Sequence, residues 1–159
     1  MKKILMTLAA LLLAGSLYAQ NGDDSHYDER HFQLTTMLRY DSYSWESSQM
    51  SVNVSIGGRR NRENYWGFQT GLLKDSRTMQ YGVPLLIDYT HYYPMGKAGR
   101  HSVYFGTDIG YMWIFRGQSS IFLSEKLGFD FDLGGQLPHL MVGIQANFWG
   151  VGATVGFTF

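Results

Sequence analysis

The chain has 159 residues, with 13 Lys+Arg balanced by 13 Asp+Glu and no cysteine. The charge balance gives nucleic acid or a strongly acidic substrate nothing to recognise. The missing cysteines exclude a disulfide framework, a thiolate metal site and a lipid anchor through cysteine. Aromatic residues make up 16% of the chain and glycine is frequent at 19, against 3 prolines.

Lys2 and Lys3, the apolar run Ile4 to Leu13 and the small residues before Ala19 have the order of a cleaved secretory signal peptide over 1–19, too short for a transmembrane helix. Residues 20–30 are polar and charged and read as a flexible periplasmic lead-in. Residues 31–159 read as one domain.

That domain is a succession of segments with period two, which is the spacing of strands with one apolar and one polar face. The first, about Phe32 to Tyr43, turns Phe32, Leu34, Thr36, Leu38 and Tyr40 outward and Gln33, Thr35, Met37, Arg39 and Asp41 inward. The second, about Met50 to Gly58, presents Val52, Val54 and Ile56 outward, and the third, about Tyr65 to Lys74, Trp66, Phe68, Thr70 and Leu72. The fourth, about Met79 to Tyr93, has Leu85 and Ile87 out with Asp88 in. The fifth, about Ser102 to Phe115, has Phe105, Ile109 and Tyr111 out with Tyr104 and Asp108 in. The sixth, about Leu123 to Leu133, is the least regular. It turns Lys126, Gly128, Asp130 and Asp132 inward but puts Glu125 on the apolar side, which is tolerable only near a rim. The seventh, about His139 to Phe148, leads through a Trp149-Gly150 turn into the eighth, Val151 to Phe159.

The predicted fold is therefore all-β, an antiparallel up-and-down transmembrane β-barrel of about eight strands. In a soluble barrel the apolar face would line the interior and Lys and Glu would cover the outside. Here the polar face is rich in Gly, Ser, Thr, Asn and Gln, which suits a narrow lumen. With a periplasmic N-terminus, Tyr40, Tyr43, Trp45, Trp113, Phe115, Phe148 and Trp149 gather at the outer rim. Phe32, Trp66, Tyr89, Tyr93, Phe129, Phe131, Phe157 and Phe159 gather at the inner rim. These are the two aromatic girdles that membrane interfaces favour.

The ending Gly156-Phe157-Thr158-Phe159, with the signal peptide, resembles the small bacterial outer-membrane β-barrel family. The resemblance covers the whole mature chain in pattern and ends. It implies the outer membrane as location, outer-membrane lipids as surroundings, and insertion by the barrel-assembly machinery reading Phe157 and Phe159.

No catalytic motif accompanies the pattern. Asp88 and Asp108 form the sharpest pair, facing inward on adjacent strands. Close carboxylates suit acid–base chemistry, but a lumen charge network of Arg39, Asp41, Asp88, Asp108 and Lys126 is the commoner arrangement. His139 is expected across a hairpin from Asp132, as in a base-and-orienter pair, yet no serine stands beside it. His101-Ser102 lies on the periplasmic side. The remaining histidines, His26, His31 and His91, add no metal-ligand spacing, and neither a metal nor a cofactor is expected. Arg59, Arg60 and Arg62 form a basic turn that suits lipid phosphate or a periplasmic partner, a solvated turn being the commoner arrangement. Connectors are short, which disfavours adhesion, and a small barrel fills with its own side chains, which disfavours a general porin. The reading is a non-enzymatic envelope or accessory binding protein. A lipid-modifying enzyme using Asp88, Asp108, Asp132 or His139, and a narrow solute pore, are the alternatives.

Overall fold

The structure, a computed structural model, describes residues 31–159 except 45–46, 61–62, 77, 96–99, 116, 118 and 135–136. The segments expected as signal peptide and lead-in lie outside the described residues, as do Trp45, Glu46 and Arg62.

Eight antiparallel strands follow in chain order: β1 (His31–Ser44), β2 (Ser47–Arg60), β3 (Asn64–Asp75), β4 (Tyr81–Met95), β5 (His101–Ile114), β6 (Ser120–Phe131), β7 (His139–Asn147) and β8 (Gly150–Thr158). Each pairs with its sequence neighbour, and β8 pairs back onto β1 to close the barrel. Closure removes the free sheet edges that an open sheet would expose. The closing seam runs from Ser42 against Val151 to Thr35 against Thr158. Phe159 extends it, because its amide donates to the Leu34 carbonyl and its carbonyl accepts from the Leu34 amide.

The upper end carries the connectors after β1, β3, β5 and β7. The lower end carries the other connectors and the C-terminus.

The period-two expectation holds along the strands except at Leu34, which is expected to face outward and is buried. Leu38, Val52, Ile56, Phe68, Leu72, Ile87, Phe105, Ile109, Leu127, Val142 and Ile144 are exposed on the outside, whereas Asn53, Ser55, Gln69, Asp88, Thr90, Asp108, Ser124 and Lys126 are buried within. Polar residues inside and apolar residues outside invert the pattern of a soluble barrel.

Several boundaries differ from the sequence expectation, and four of them bear on the site. β6 begins at Ser120, so Phe122, expected in a connector, points inward and is fully buried. β6 ends at Phe131, which leaves Asp132 beyond the sheet, where its carboxylate accepts from the Gly134 amide at 2.7 Å. Arg59 and Arg60 belong to β2 rather than to a turn. The last turn is Phe148-Trp149, and Gly150 already starts β8. The Asn147 side-chain oxygen shapes this turn by accepting from the amides of Trp149 and Gly150, both at 2.9 Å.

The candidate functional site, a sealed lumen and its upper vestibule

The interior is stacked in three layers. On β3 to β6 the inward residues run in the same vertical order, because adjacent antiparallel strands are read in opposite directions. Leu73, Leu86, Met112 and Phe122 form an apolar layer near the upper end. Tyr65, Tyr92, Tyr104 and Met141 form an aromatic layer near the lower end. Between them lies a belt of charge.

Asp88 and Asp108 are direct cross-strand partners. Lys126 Nζ sits between them, donating to Asp88 Oδ1 at 2.5 Å and to Asp108 Oδ1 at 2.9 Å. Arg39 reaches across from β1. It donates to Asp41 at 2.8 Å, to Asp108 Oδ2 at 3.3 Å and to the Ser124 hydroxyl at 3.0 Å. Asp88 further accepts from Ser55 at 3.0 Å and Thr90 at 2.9 Å. Gln145 and Asn147 donate to Asp41 Oδ1 at 2.6 and 3.1 Å. The five charged side chains are each at most 6% exposed. Arg39 also lies 4.7 Å from the Phe122 ring centroid, which joins the belt to the apolar layer above. All five residues expected in a lumen network thus sit in one bonded cluster.

The chemistry open to this cluster is limited. Burial without such partners would cost each ion several kcal/mol, so every charge here carries an opposite charge and hydrogen bonds. The Asp88–Asp108 pair is separated by an ammonium group and overlain by side chains. A substrate would have to displace an ion pair to reach it. Two small cavities lined by described residues adjoin the cluster, each of about 10 Å³, on the order of a single water. The Gln69 amide borders the upper one without a side-chain partner.

The lower layer is packed through hydroxyls and glycines. Tyr65 shares a 2.7 Å hydrogen bond with Ser55, and Gln33 donates to the Tyr92 hydroxyl at 3.2 Å. The Arg59 guanidinium lies 4.0 Å from the Tyr92 ring centroid and covers the layer from below. Tyr104 lies against Gly128 and Gly143, where a side chain would strike its hydroxyl. Large rings over glycines fill a small barrel without straining its wall.

His139 bonds Asp130 rather than Asp132, at 3.1 Å from Nδ1 to Oδ2. The β6–β7 ladder stops at Phe131 opposite Leu140, so Asp132 has already left the sheet and the diagonal neighbour Asp130 takes its place. His101 faces outward and stacks edge-on against Phe131, 6.0 Å between centroids. Among the described residues no group of His, Asp and Glu has the convergence of a metal site.

Glu125 faces outward, as expected, and accepts from the Thr107 hydroxyl at 2.9 Å. Its cross-strand neighbour is Ala146, one pair below the last β6–β7 pair, Ser124 with Asn147. Glu125 is central on β6 but lies almost at the rim on the β7 side, because the β7–β8 hairpin is short. That proximity reconciles a carboxylate with the apolar exterior.

Above the apolar layer the barrel opens into a vestibule of about 450 Å³, lined among others by Tyr43, Gln49, Asp75, Met112, Ile114 and Trp149. Sequence reasoning missed it, since connectors alone do not reveal where the lumen is plugged.

No family model matches the chain, and no curated protein matches it either. Solved structures do. The outer membrane protein OprG from Pseudomonas aeruginosa superposes with a TM-score of 0.53 at 11% identity, over 86% of this chain and 99% of that one. A transmembrane β-barrel from de novo design gives 0.53 at 8% identity, over 80% and 92%. At such identities the likeness is one of fold. The chain has the closed eight-stranded architecture of the small outer-membrane barrels.

Proposed function

We propose that the protein is an integral outer-membrane barrel without catalytic activity, with a sealed lumen, serving the envelope structurally or as an accessory binding protein. The observation that carries this reading is the inversion of polarity: a mostly apolar exterior around a bonded charge belt. In water such an exterior would drive aggregation; in lipid it is the required surface. Closure of every strand also satisfies the backbone in a medium without water. The layers above and below the belt argue against a pore.

The first test is electrophoresis of the outer-membrane fraction with and without boiling. A folded barrel that resists detergent migrates differently until boiled. The expected result is a boiling-dependent shift; a soluble periplasmic protein with no shift would overturn the reading. Planar-bilayer recordings of the purified barrel are expected to show no discrete conductance steps, and steps of reproducible size would restore the pore.

A comparison of two exterior positions tests the orientation in lipid. Glu125→Leu is expected to change unfolding free energy by less than about 1 kcal/mol, the range for charged groups near an interface. Thr70→Glu, at mid-strand on the opposite wall, is expected to cost more than that, because its carboxylate would have no rim beside it. Urea titrations in phospholipid vesicles measure both. Equal effects at the two positions would contradict the assignment of Glu125 to a local rim.

A further inference from the structure

The charges of the belt do not sum to zero. Asp41, Asp88 and Asp108 stand against Arg39 and Lys126, three negative charges against two positive. All five side chains are buried. A surplus charge in such surroundings is costly unless a counter-ion or a proton meets it.

A second deficit lies beside the first. Among the described residues, the side-chain oxygens of Gln69 and Asn53 have no hydrogen-bond partner, although both residues are buried. Both line the upper of the two small cavities at the belt, about 10 Å³, together with Asp41, Ser51 and Arg39. Leu73, Leu86 and Met112 of the apolar layer roof it. Asn53 donates from its amide nitrogen to the Ser51 hydroxyl at 2.9 Å. That bond fixes the amide and leaves its oxygen over Gly71, which has no side chain to cover it. Neither end of the Gln69 amide is bonded, so its oxygen is free to turn to a ligand. Arg39 is already committed: its three nitrogens donate to Asp41, Asp108 and Ser124.

A water in this cavity would satisfy the amide oxygens but leave the surplus charge. A proton on one carboxylate would close the charge count but leave the oxygens bare. A single cation does both. We propose that the cavity binds a monovalent alkali cation, sodium or potassium, through Gln69 Oε1, Asn53 Oδ1 and the Ser51 hydroxyl, with the Asp41 carboxylate supplying the charge. The cavity has room for one water, and such an ion is of that order of size. Neutral oxygens can replace its hydration shell, as carbonyls do in potassium channels. Hard oxygen ligands suffice, so the site needs no histidine and only one carboxylate. Gln49 borders both this cavity and the vestibule above, and donates to Asp75 at 3.4 Å. A second carboxylate thus stands on the vestibule side of the site.

The proposal adds an ion to the sealed lumen and rests on that reading. The two fail separately: conductance steps would sink the sealed lumen, whereas the site is judged by ion-dependent stability. Urea unfolding of the barrel in zwitterionic phospholipid vesicles is measured in sodium, potassium and choline chloride at one ionic strength. Choline is too large for the cavity and serves as the reference. For the ion that binds, each tenfold rise above its dissociation constant is expected to raise the folding constant about tenfold. Gln69→Met keeps the volume and removes the amide oxygen. Asp41→Asn leaves two negative charges against two positive. Each is expected to abolish the dependence on the ion. Equal midpoints in the three salts would overturn the site. So would a midpoint that follows pH and not the ion, which would assign the missing charge to a proton.

Side-chain amide NMR in lipid nanodiscs gives a readout that needs no variant. Replacing choline by the bound ion is expected to shift the Gln69 and Asn53 amides and leave Gln33, which bonds Tyr92 in the lower layer, unmoved. Equal movement of all three, or of none, would overturn the site.

Discussion

Replacing Lys126 with methionine is expected to destabilise the barrel by about 3–5 kcal/mol, the cost of breaking a buried ion pair from one side. The reason lies in the count of charges. The belt holds Asp41, Asp88 and Asp108 against Arg39 and Lys126. Lys126 alone bridges the directly opposed Asp88 and Asp108. Without it, three carboxylates face one guanidinium, whose contact to Asp108 is the longer one at 3.3 Å. Ser55 and Thr90 would still donate to Asp88, but hydroxyls do not offset a second carboxylate at cross-strand distance. The triple variant Lys126→Met, Asp88→Asn, Asp108→Asn is expected to recover most of the loss, since it leaves Asp41 paired with Arg39. Urea unfolding in vesicles, followed by tryptophan fluorescence, measures both. A single variant that unfolds at the wild-type midpoint would show that water, rather than Lys126, compensates these carboxylates.

Lumen side chains were legible in the sequence to the extent that they depend on alternation alone. Inward or outward orientation follows from a period of two, so Arg39, Asp88, Asp108 and Lys126 could each be placed inside before any partner was known. Their meeting could not be derived. Arg39 and Asp108 are 69 residues apart, on strands separated by half the barrel, and their contact depends on how the strands stagger around it. Phe122 was lost because Ser119-Ser120 after Gly117 has the composition of a loop, and composition carries no information on whether a neighbouring strand extends to pair with it. The same limit misdirected His139. Opposition to Asp132 assumed a ladder that continues to the turn, whereas the observed ladder stops at Phe131 and the diagonal Asp130 is reached instead. The low rim beside Glu125 is likewise a property of where ladders end, since the β6–β7 ladder stops at Ser124 opposite Asn147. Glu125, the residue that fitted the pattern worst, lies one pair below that end. A conflict with local pattern thus marked a place where the paired wall ends early.

Gly67→Val is expected to cost about 3 kcal/mol, combining overpacking with a displaced hydrogen bond. Tyr65 folds over Gly67 two residues on, and the nearest atoms to an added Cβ all belong to the Tyr65 side chain, with ring carbon Cε1 at 2.9 Å. The backbone is not what resists the substitution; the ring is. Moving that ring also disturbs the 2.7 Å bond from Tyr65 to Ser55, and Ser55 in turn donates to Asp88 in the charge belt. Tyr65→Ala alone is expected to cost about 3–5 kcal/mol, as for other buried aromatic truncations. The two changes should not add. With the ring gone, valine at position 67 fills part of the space and restores a β-branched residue to the strand, so the double variant is expected to be more stable than the sum of the two by about 1–3 kcal/mol. Gly58→Val is the control. It lies on the outward face of β2, where an added Cβ meets nothing within 4 Å. It is expected to be neutral or mildly stabilising, through gained strand propensity and apolar surface towards lipid. Strict additivity at positions 65 and 67 would mean that glycine serves the wall there and not the ring. Strong coupling at 65 and 67, together with tolerance at 58, would tie the lumen-facing glycine to the aromatic layer that seals the barrel from below.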